Sequence, residues 1–171
     1  MRVIGIDPGT QTTGWGVVET DGNTLRHVAH GCVRTQTGEP LPDRLGKIFT
    51  ELTRVITEFQ PQQAVVEEIF VSQNVQSALK LGHARGVAIV AANHLGLPIH
   101  EYTALQVKKA VVGYGRAEKS QMQEMVRILL NMPRSAPTDA ADALGVAICH
   151  LNHLPRHALR SVSLSSVGAP P

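Results

Sequence analysis

Arg2-Val3-Ile4-Gly5-Ile6-Asp7-Pro8-Gly9-Thr10 begins with β-branched residues and stops abruptly at an acid followed by Pro-Gly. That is the pattern of a buried strand whose carboxyl end delivers Asp7 to a turn. An unpaired buried anion costs on the order of several kcal/mol, so Asp7 must either face solvent or meet a cation. As a surface turn-former it would need nothing more. As part of a metal or phosphate site it would stand where open α/β sheets place their ligands, outside the carboxyl ends of the strands, and it would need further acids.

The chain supplies them. Ala64-Val65-Val66-Glu67-Glu68-Ile69-Phe70 is a second short apolar strand running into acid. Alternation along a regular strand sends Glu67 and Glu68 to opposite faces, so one of them faces solvent. Thr138-Asp139-Ala140-Ala141-Asp142-Ala143-Leu144 opens the last helix, with Thr138 as the expected N-cap and the two acids one turn apart on one face. Acids in a first turn can simply complement the helix dipole. The alanines around them and Val146, Ile148 and Leu151 mark a mostly buried helix, however, and acids there call for a cation.

Between these points the pattern is α/β. Gly14–Glu19 and Leu25–Val33 read as strands joined by the tight turn Asp21-Gly22-Asn23, giving a three-stranded antiparallel meander with the first strand. Gly9, Gly14 and Gly16 would let the backbone bend closely after Asp7, and Trp15 reads as packing. Apolar residues from Leu45 to Phe59 recur at helical spacing, so a helix spans Leu41–Phe59 and Pro61 ends it. The strand that follows a helical crossover is expected to lie parallel to an earlier one. A helix rich in small residues runs from Val75 to about His94, its Ala and Gly positions suited to close helix contact within the chain or across a dimer. Leu97–Tyr102 is a fifth strand, at an edge because of Pro98. Ala104–Val112 and Gln121–Leu130 are helices, and the loop between them, Gly113-Tyr114-Gly115-Arg116, can approach a phosphate backbone closely or serve as an ordinary connector.

Composition bounds the function. The 171 residues suit one domain, residues 1–155, and the non-periodic residues 156–171 read as a flexible tail. Aromatic residues make up only 4%, so the core is aliphatic. The net charge of +2 conceals a split. Residues 1–79 carry six Lys or Arg against nine Asp or Glu, and residues 80–171 carry ten against five. An acidic cluster beside a basic flank suits a polyanion held near metal ions. Cys32 and Cys149 are far apart and read as reduced thiols in a cytoplasmic protein, while the longest strongly apolar run, Val87–Ala92, is too short to span a bilayer. Four carboxylates, Asp7, Glu67, Asp139 and Asp142, favour a hard cation such as Mg²⁺ over zinc, and could hold two ions for in-line displacement at phosphorus.

Taken in order, Gly5-Ile6-Asp7-Pro8-Gly9, Glu67-Glu68-Ile69-Phe70, Ser77-Ala78-Leu79-Lys80-Leu81-Gly82, Ala84–Ala92, Gln106-Val107-Lys108, Ala117-Glu118-Lys119-Ser120-Gln121 and Asp139-Ala140-Ala141-Asp142-Ala143-Leu144 resemble the RuvC family of bacterial Holliday junction resolvases over about residues 1–153. The resemblance implies a ribonuclease H-like fold, a five-stranded mixed sheet flanked by helices on both faces. It implies a crossover junction endodeoxyribonuclease that acts as a homodimer on four-way DNA in recombination and repair. Paired symmetric nicks would leave 5′-phosphate and 3′-hydroxyl ends. By motif match Asp7, Glu67, Asp139 and Asp142 would be catalytic and hold two Mg²⁺ or Mn²⁺ ions per subunit, and Lys119 would stabilise charge at the scissile phosphate. Lys108 and Lys119 would meet phosphates, and Phe70 would wedge at the junction, although base rates for a phenylalanine at a strand end favour a cap on the core. Lys80, Arg85, Lys109 and Arg116 are further candidate DNA contacts, and a branch-migration helicase complex is an implied partner. Glu68 takes no catalytic role from the match.

Two other readings stand beside this one. Gly5–Thr10 also resembles the phosphate loop of actin-like ATPases and sugar kinases, but 171 residues leave no room for their second lobe. The basic half could instead serve a junction-binding protein without chemistry.

Overall fold

The computed structural model describes residues 1–68 and 75–155. The chain order is β1 (Arg2–Asp7), β2 (Thr12–Thr20), β3 (Leu25–Arg34), α1 (Leu41–Phe59), β4 (Gln63–Glu68), α2 (Val75–His94), β5 (Ile99–Thr103), α3 (Ala104–Val112), α4 (Lys119–Leu129) and α5 (Thr138–His153). One five-stranded sheet has the order β3-β2-β1-β4-β5. The first three strands form the expected antiparallel meander. After the α1 crossover, β4 pairs parallel with β1, and β5 pairs parallel with β4. The mixed sheet of the ribonuclease H-like architecture is therefore present, and it makes the strands that end in Asp7 and Glu67 neighbours.

Alternation along each strand divides the core into two layers. Ile4, Ile6, Val17, Ala64 and Val66 pack on one face against Ile48, Leu52 and Val55 of α1 and Ala84, Ala88 and Ala91 of α2. Val3, Val18 and Val65 pack on the other against Val107 and Val111 of α3, Met122 and Val126 of α4, and Leu144 and Ile148 of α5. Trp15 packs on Phe59 with ring centroids 5.8 Å apart, as its reading as packing requires.

The glycines of β1 and β2 have a use beyond bending the turn. A Cβ on Gly5 would fall on the carbonyl oxygen of Ala143, one on Gly14 on that of Asp139, and one on Gly16 within 2.6 Å of the Leu144 side chain. The bare strip they form lets α5 lie directly on the sheet, closer than any side chain would allow. Every residue of α5 from Ala143 to Leu151 is buried. This seating carries the first turn of α5 to the end of β1 where Asp7 stands.

Some boundaries differ from the sequence reading. Pro137, not Thr138, occupies the N-cap of α5, without a side-chain cap. The Thr138 hydroxyl instead accepts a hydrogen bond from Gln123 Nε2 at 3.2 Å, tying α5 to α4. Helix α4 begins two residues early, at Lys119, because Glu118 and Gln121 form a reciprocal capping box. A second such box, Thr103 with Gln106, starts α3 directly from β5. Residues 69–74 and 156–171, and with them Phe70 and the expected tail, lie outside the described residues.

Candidate active site

Asp7 ends β1, Glu67 sits one residue before the end of β4, and Asp142 lies one turn into α5. All three line one cavity of about 330 Å³, whose other walls include Val107 and Lys108 of α3 and Lys119 and Met122 of α4. Three carboxylates and two ammonium groups thus meet from five different elements. Asp139 opens onto a separate cavity, with Gly9, Thr10, Thr12, Ser77 and Lys80. Its charge still acts on Asp7. The charges of the other three sequence-selected acids therefore all act on Asp7, but the four divide between two cavities.

The electrostatics follow from this crowding. Burial, reinforced by the charges of Glu67, Asp142 and Asp139, pushes the Asp7 carboxyl up to about 8. Glu67 is also raised, chiefly by burial and by Asp142, while its hydrogen bond with Asp7 and the positive Lys108 and Lys119 pull it back. Asp142 is raised by burial and lowered by Lys119 and Lys108. Asp7 and Glu67 accordingly behave as a coupled acid pair, each raising the cost of ionising the site, so that they share a proton. Among the described residues, no three His, Cys, Asp or Glu side chains stand as a ready ligand set for an ion. The donors are nonetheless hard carboxylate oxygens, half-buried and raising one another's proton affinity, a set suited to a hard divalent cation such as Mg²⁺ or Mn²⁺. Such a cation would take the place of the shared proton.

Lys119 is the first residue of α4, where the helix dipole disfavours a cation. Its position makes sense only through what it faces, the Glu67 and Asp142 carboxylates. Lys108, half-buried on α3, faces the same two acids. Lys80 lines the Asp139 cavity. Lys109 and Arg116 are exposed near the α3–α4 connection. Arg85 is held otherwise: its guanidinium pairs with Glu101 of β5, making it a strut between α2 and the sheet edge instead of an open cation.

Several contributors escaped the sequence reading. Arg44 of α1 is 8% exposed, and its guanidinium donates to the Thr10 carbonyl at 2.6 Å and to the Thr35 hydroxyl at 3.1 Å. With the Thr13 hydroxyl donating to the Gly9 carbonyl at 2.7 Å, it fixes the turn that presents Asp7. Its signal was present in the sequence as an arginine one turn before Ile48, on the apolar face of α1. Cys32, expected only to be reduced and partly buried, lies close enough to Asp139 for that charge, after burial, to raise its thiol. Glu68 is exposed, as alternation requires for one of the two acids.

Comparison with known proteins gives a consistent picture. The family model described as "Crossover junction endodeoxyribonuclease RuvC" matches residues 3–150. The protein of that name from Magnetococcus marinus is 60% identical over 157 residues, covering 92% of this chain and 87% of its own. That from Citrifermentans bemidjiense is 56% identical over 150 residues, covering 88% and 92%. Among solved structures, Thermus thermophilus RuvC in complex with a Holliday junction substrate superposes with a TM-score of 0.84 at 36% identity, over 95% of this chain and 97% of that one. The yeast mitochondrial resolvase Ydc2, at 13% identity and a TM-score of 0.63, shares the fold. The chain belongs to the RuvC family of crossover junction endodeoxyribonucleases.

Proposed function

We propose that this protein is an endonuclease that resolves four-way DNA junctions by paired, metal-dependent nicking in recombination and repair. The observation that carries the reading is the single cavity in which Asp7, Glu67 and Asp142 face Lys108 and Lys119. Asp7, Glu67 and Asp142, with Asp139 alongside, would hold two divalent ions, Mg²⁺ or Mn²⁺. Such ions supply Lewis acidity to an attacking water and to the leaving 3′ oxygen.

The protein's own part is to position and neutralise. Lys108 and Lys119 bind the phosphate oxygens opposite the acids, and Lys119, at the cavity wall, offsets charge that builds on the phosphoryl group in the transition state. Lys80, Lys109 and Arg116 bear on phosphates farther along the strand. Phe70, outside the described residues, keeps its proposed part as a wedge at the branch point. A domain of residues 1–155 contains all the acids and lysines of this scheme. Cleavage leaves a 5′-phosphate and a 3′-hydroxyl.

Symmetric nicking of two strands calls for two such sites related by a two-fold axis, hence a homodimer. A branch-migration helicase complex bound to the same junction is a further proposed partner, and the cytoplasm the proposed location. No described helix is long and apolar enough to cross a membrane.

The test is incubation of the purified chain with a mobile four-way junction and with linear duplex, with and without Mg²⁺ or Mn²⁺. Paired, ligatable nicks in the junction that require the metal, with the duplex left intact, are expected. Junction binding without nicks under every metal condition would favour the non-catalytic alternative.

A further inference from the structure

Arg44 is buried, and among the described residues no carboxylate pairs with it. A guanidinium taken out of water is costly unless fixed dipoles replace the lost solvent, and the Thr10 carbonyl supplies one. The same carbonyl accepts from the Thr35 hydroxyl at 2.5 Å. One residue earlier, the Gly9 carbonyl accepts from the buried Thr13 hydroxyl at 2.7 Å. Two successive peptide groups after Asp7 thus have their oxygens held on the protein side. The described peptide bonds are trans, so each N–H points away from the carbonyl it is joined to. The N–H groups of Thr10 and Gln11 are thereby turned away from Thr13 and Arg44, and no backbone carbonyl among the described residues accepts either one. Gly9 lets the turn close this tightly, since a Cβ there would fall on the carbonyl oxygen of Thr12.

The turn from Gly9 to Thr12 forms one wall of the cavity of about 540 Å³ that also holds Ser77 and Lys80 of α2 and Asp139. Successive N–H groups presented by a turn make an anion-binding concavity, and an ammonium group in the same cavity adds charge. Building on the nuclease reading, we infer that the N–H groups of Thr10 and Gln11, with Lys80, bind the phosphate next to the scissile one, and that Arg44 is the positioning residue that aims them. The neighbouring phosphate is the one concerned, because Lys108 and Lys119 stand in the other cavity with Glu67 and Asp142. Asp139, the acid in this wall, repels the phosphate and so keeps it on the side of Lys80 and the turn. Main-chain donors suit the task, since they hold a strand in place whatever its bases. Arg44 does not touch the strand. Its charge polarises the Thr10–Gln11 peptide, which strengthens the Gln11 N–H as a donor, and its hydrogen bond keeps that peptide from rotating the N–H inward.

The experiment uses the full chain and mobile four-way junctions in which one phosphate at a time, on either side of the nick, is replaced by a neutral methylphosphonate. For the wild-type chain, nicking in Mg²⁺ and gel-shift affinity without metal are both expected to fall by about tenfold at one of those positions. In Gln11→Pro, which deletes one donor from an exposed turn, the same replacement is expected to lower them by less than about threefold. Arg44→Gln should shrink the penalty likewise, and Arg44→Lys, which keeps the charge, should restore part of it. An Arg44 that only supports the fold would slow nicking of every junction alike and leave the penalty at that position unchanged. That result, an unchanged penalty in Gln11→Pro, or a wild type indifferent to every flanking phosphate would overturn the inference and leave the nuclease reading intact. If Arg44→Gln does not fold, Gln11→Pro and Arg44→Lys decide. A wild type that shows the binding penalty yet nicks no junction would overturn the nuclease reading and leave the phosphate site standing.

Discussion

The bare Cα of Gly14 on β2 lies against the carbonyl of Asp139, so that a Cβ there would occupy the place of the oxygen. The first turn of α5 is thus set by a missing side chain on the sheet. Gly14→Ala must push α5 outward or distort β2. Overpacking of this kind costs about 1–3 kcal/mol, which a urea titration would read as a lowered midpoint. Because Asp139 and Asp142 move with the helix, nicking should fall by more than the small unfolded fraction explains. Full activity in a folded Gly14→Ala would show that α5 need not lie so close.

Asp7→Asn preserves shape and removes the carboxylate on which the other three acids act. Nicking is expected to fall by at least about 10²-fold, the scale of losing one group that stabilises transition-state charge. Junction affinity without metal should hold, since Asp7 raised to about 8 is already uncharged at neutral pH and asparagine keeps its shape. Gel-shift and nicking assays on one junction separate the two effects, and undiminished cleavage would remove Asp7 from the mechanism.

The two kinds of basic residue make different predictions. Neutralising a lysine that meets phosphate weakens binding and lowers the slope of log affinity against log salt by about one. Lys108→Ala and Lys119→Ala should behave this way, and Lys119→Ala should also slow nicking at saturating junction. Arg85, paired with Glu101, should not change the slope. Its loss instead frees Glu101 and loosens α2 from β5, visible as a lower melting temperature. A slope change in Arg85→Ala would mean that it leaves Glu101 to meet DNA.

How much of this was legible beforehand depended on how local each signal was. Helix α1 could be bounded from apolar spacing and Pro61, helix α2 from its run of small residues, and the parallel course of β4 from the crossover that α1 makes. The four acids were legible because each ends a strand or opens a helix, places where a carboxylate needs a reason. Their division between two cavities was not, because it depends on how α5 rotates on the sheet. Gly14 and Gly16 showed as bends because the partner they admit is more than 100 residues away in the chain. Arg85 read as an open cation for the same reason, its partner Glu101 belonging to another element.

The shared proton of Asp7 and Glu67 ties metal binding to pH. With Asp7 pushed up to about 8, the protein without metal carries that proton at neutral pH, and a divalent ion must displace it. Affinity for Mg²⁺ or Mn²⁺ should therefore climb as pH rises towards about 8 and level off beyond it. Calorimetry of Mn²⁺ binding at pH 7 in buffers of different ionisation enthalpy should detect release of about one proton per site. In Asp7→Asn that release should vanish. A binding enthalpy independent of buffer in the wild-type chain would contradict the assignment of the proton.

On the other side of the molecule His150, 1% exposed on α5, is held neutral. Its Nε2–H donates to Gln63 Oε1 at 2.6 Å and its Nδ1 accepts from the Tyr102 hydroxyl at 3.1 Å, which fixes one tautomer. His100 stacks on it with centroids 4.3 Å apart. Burial first, then the neighbouring His100 and His153, press its proton affinity down to about 4 from the ordinary 6.5. Above 6.5 the imidazole is neutral folded or unfolded, and pH has no hold on stability through it. Between 6.5 and about 4 only the unfolded chain takes up the proton, so stability falls as pH falls across that window. Asp7, raised to about 8, acts in the opposite sense in wild type and His150→Gln alike, so urea midpoints from pH 7.5 to 4.5 must be compared between the two for the His150 decline to be seen. His150→Gln, less stable at neutral pH for its poorer packing, should lose less over that range. An equal slope in the two proteins would place the titration elsewhere.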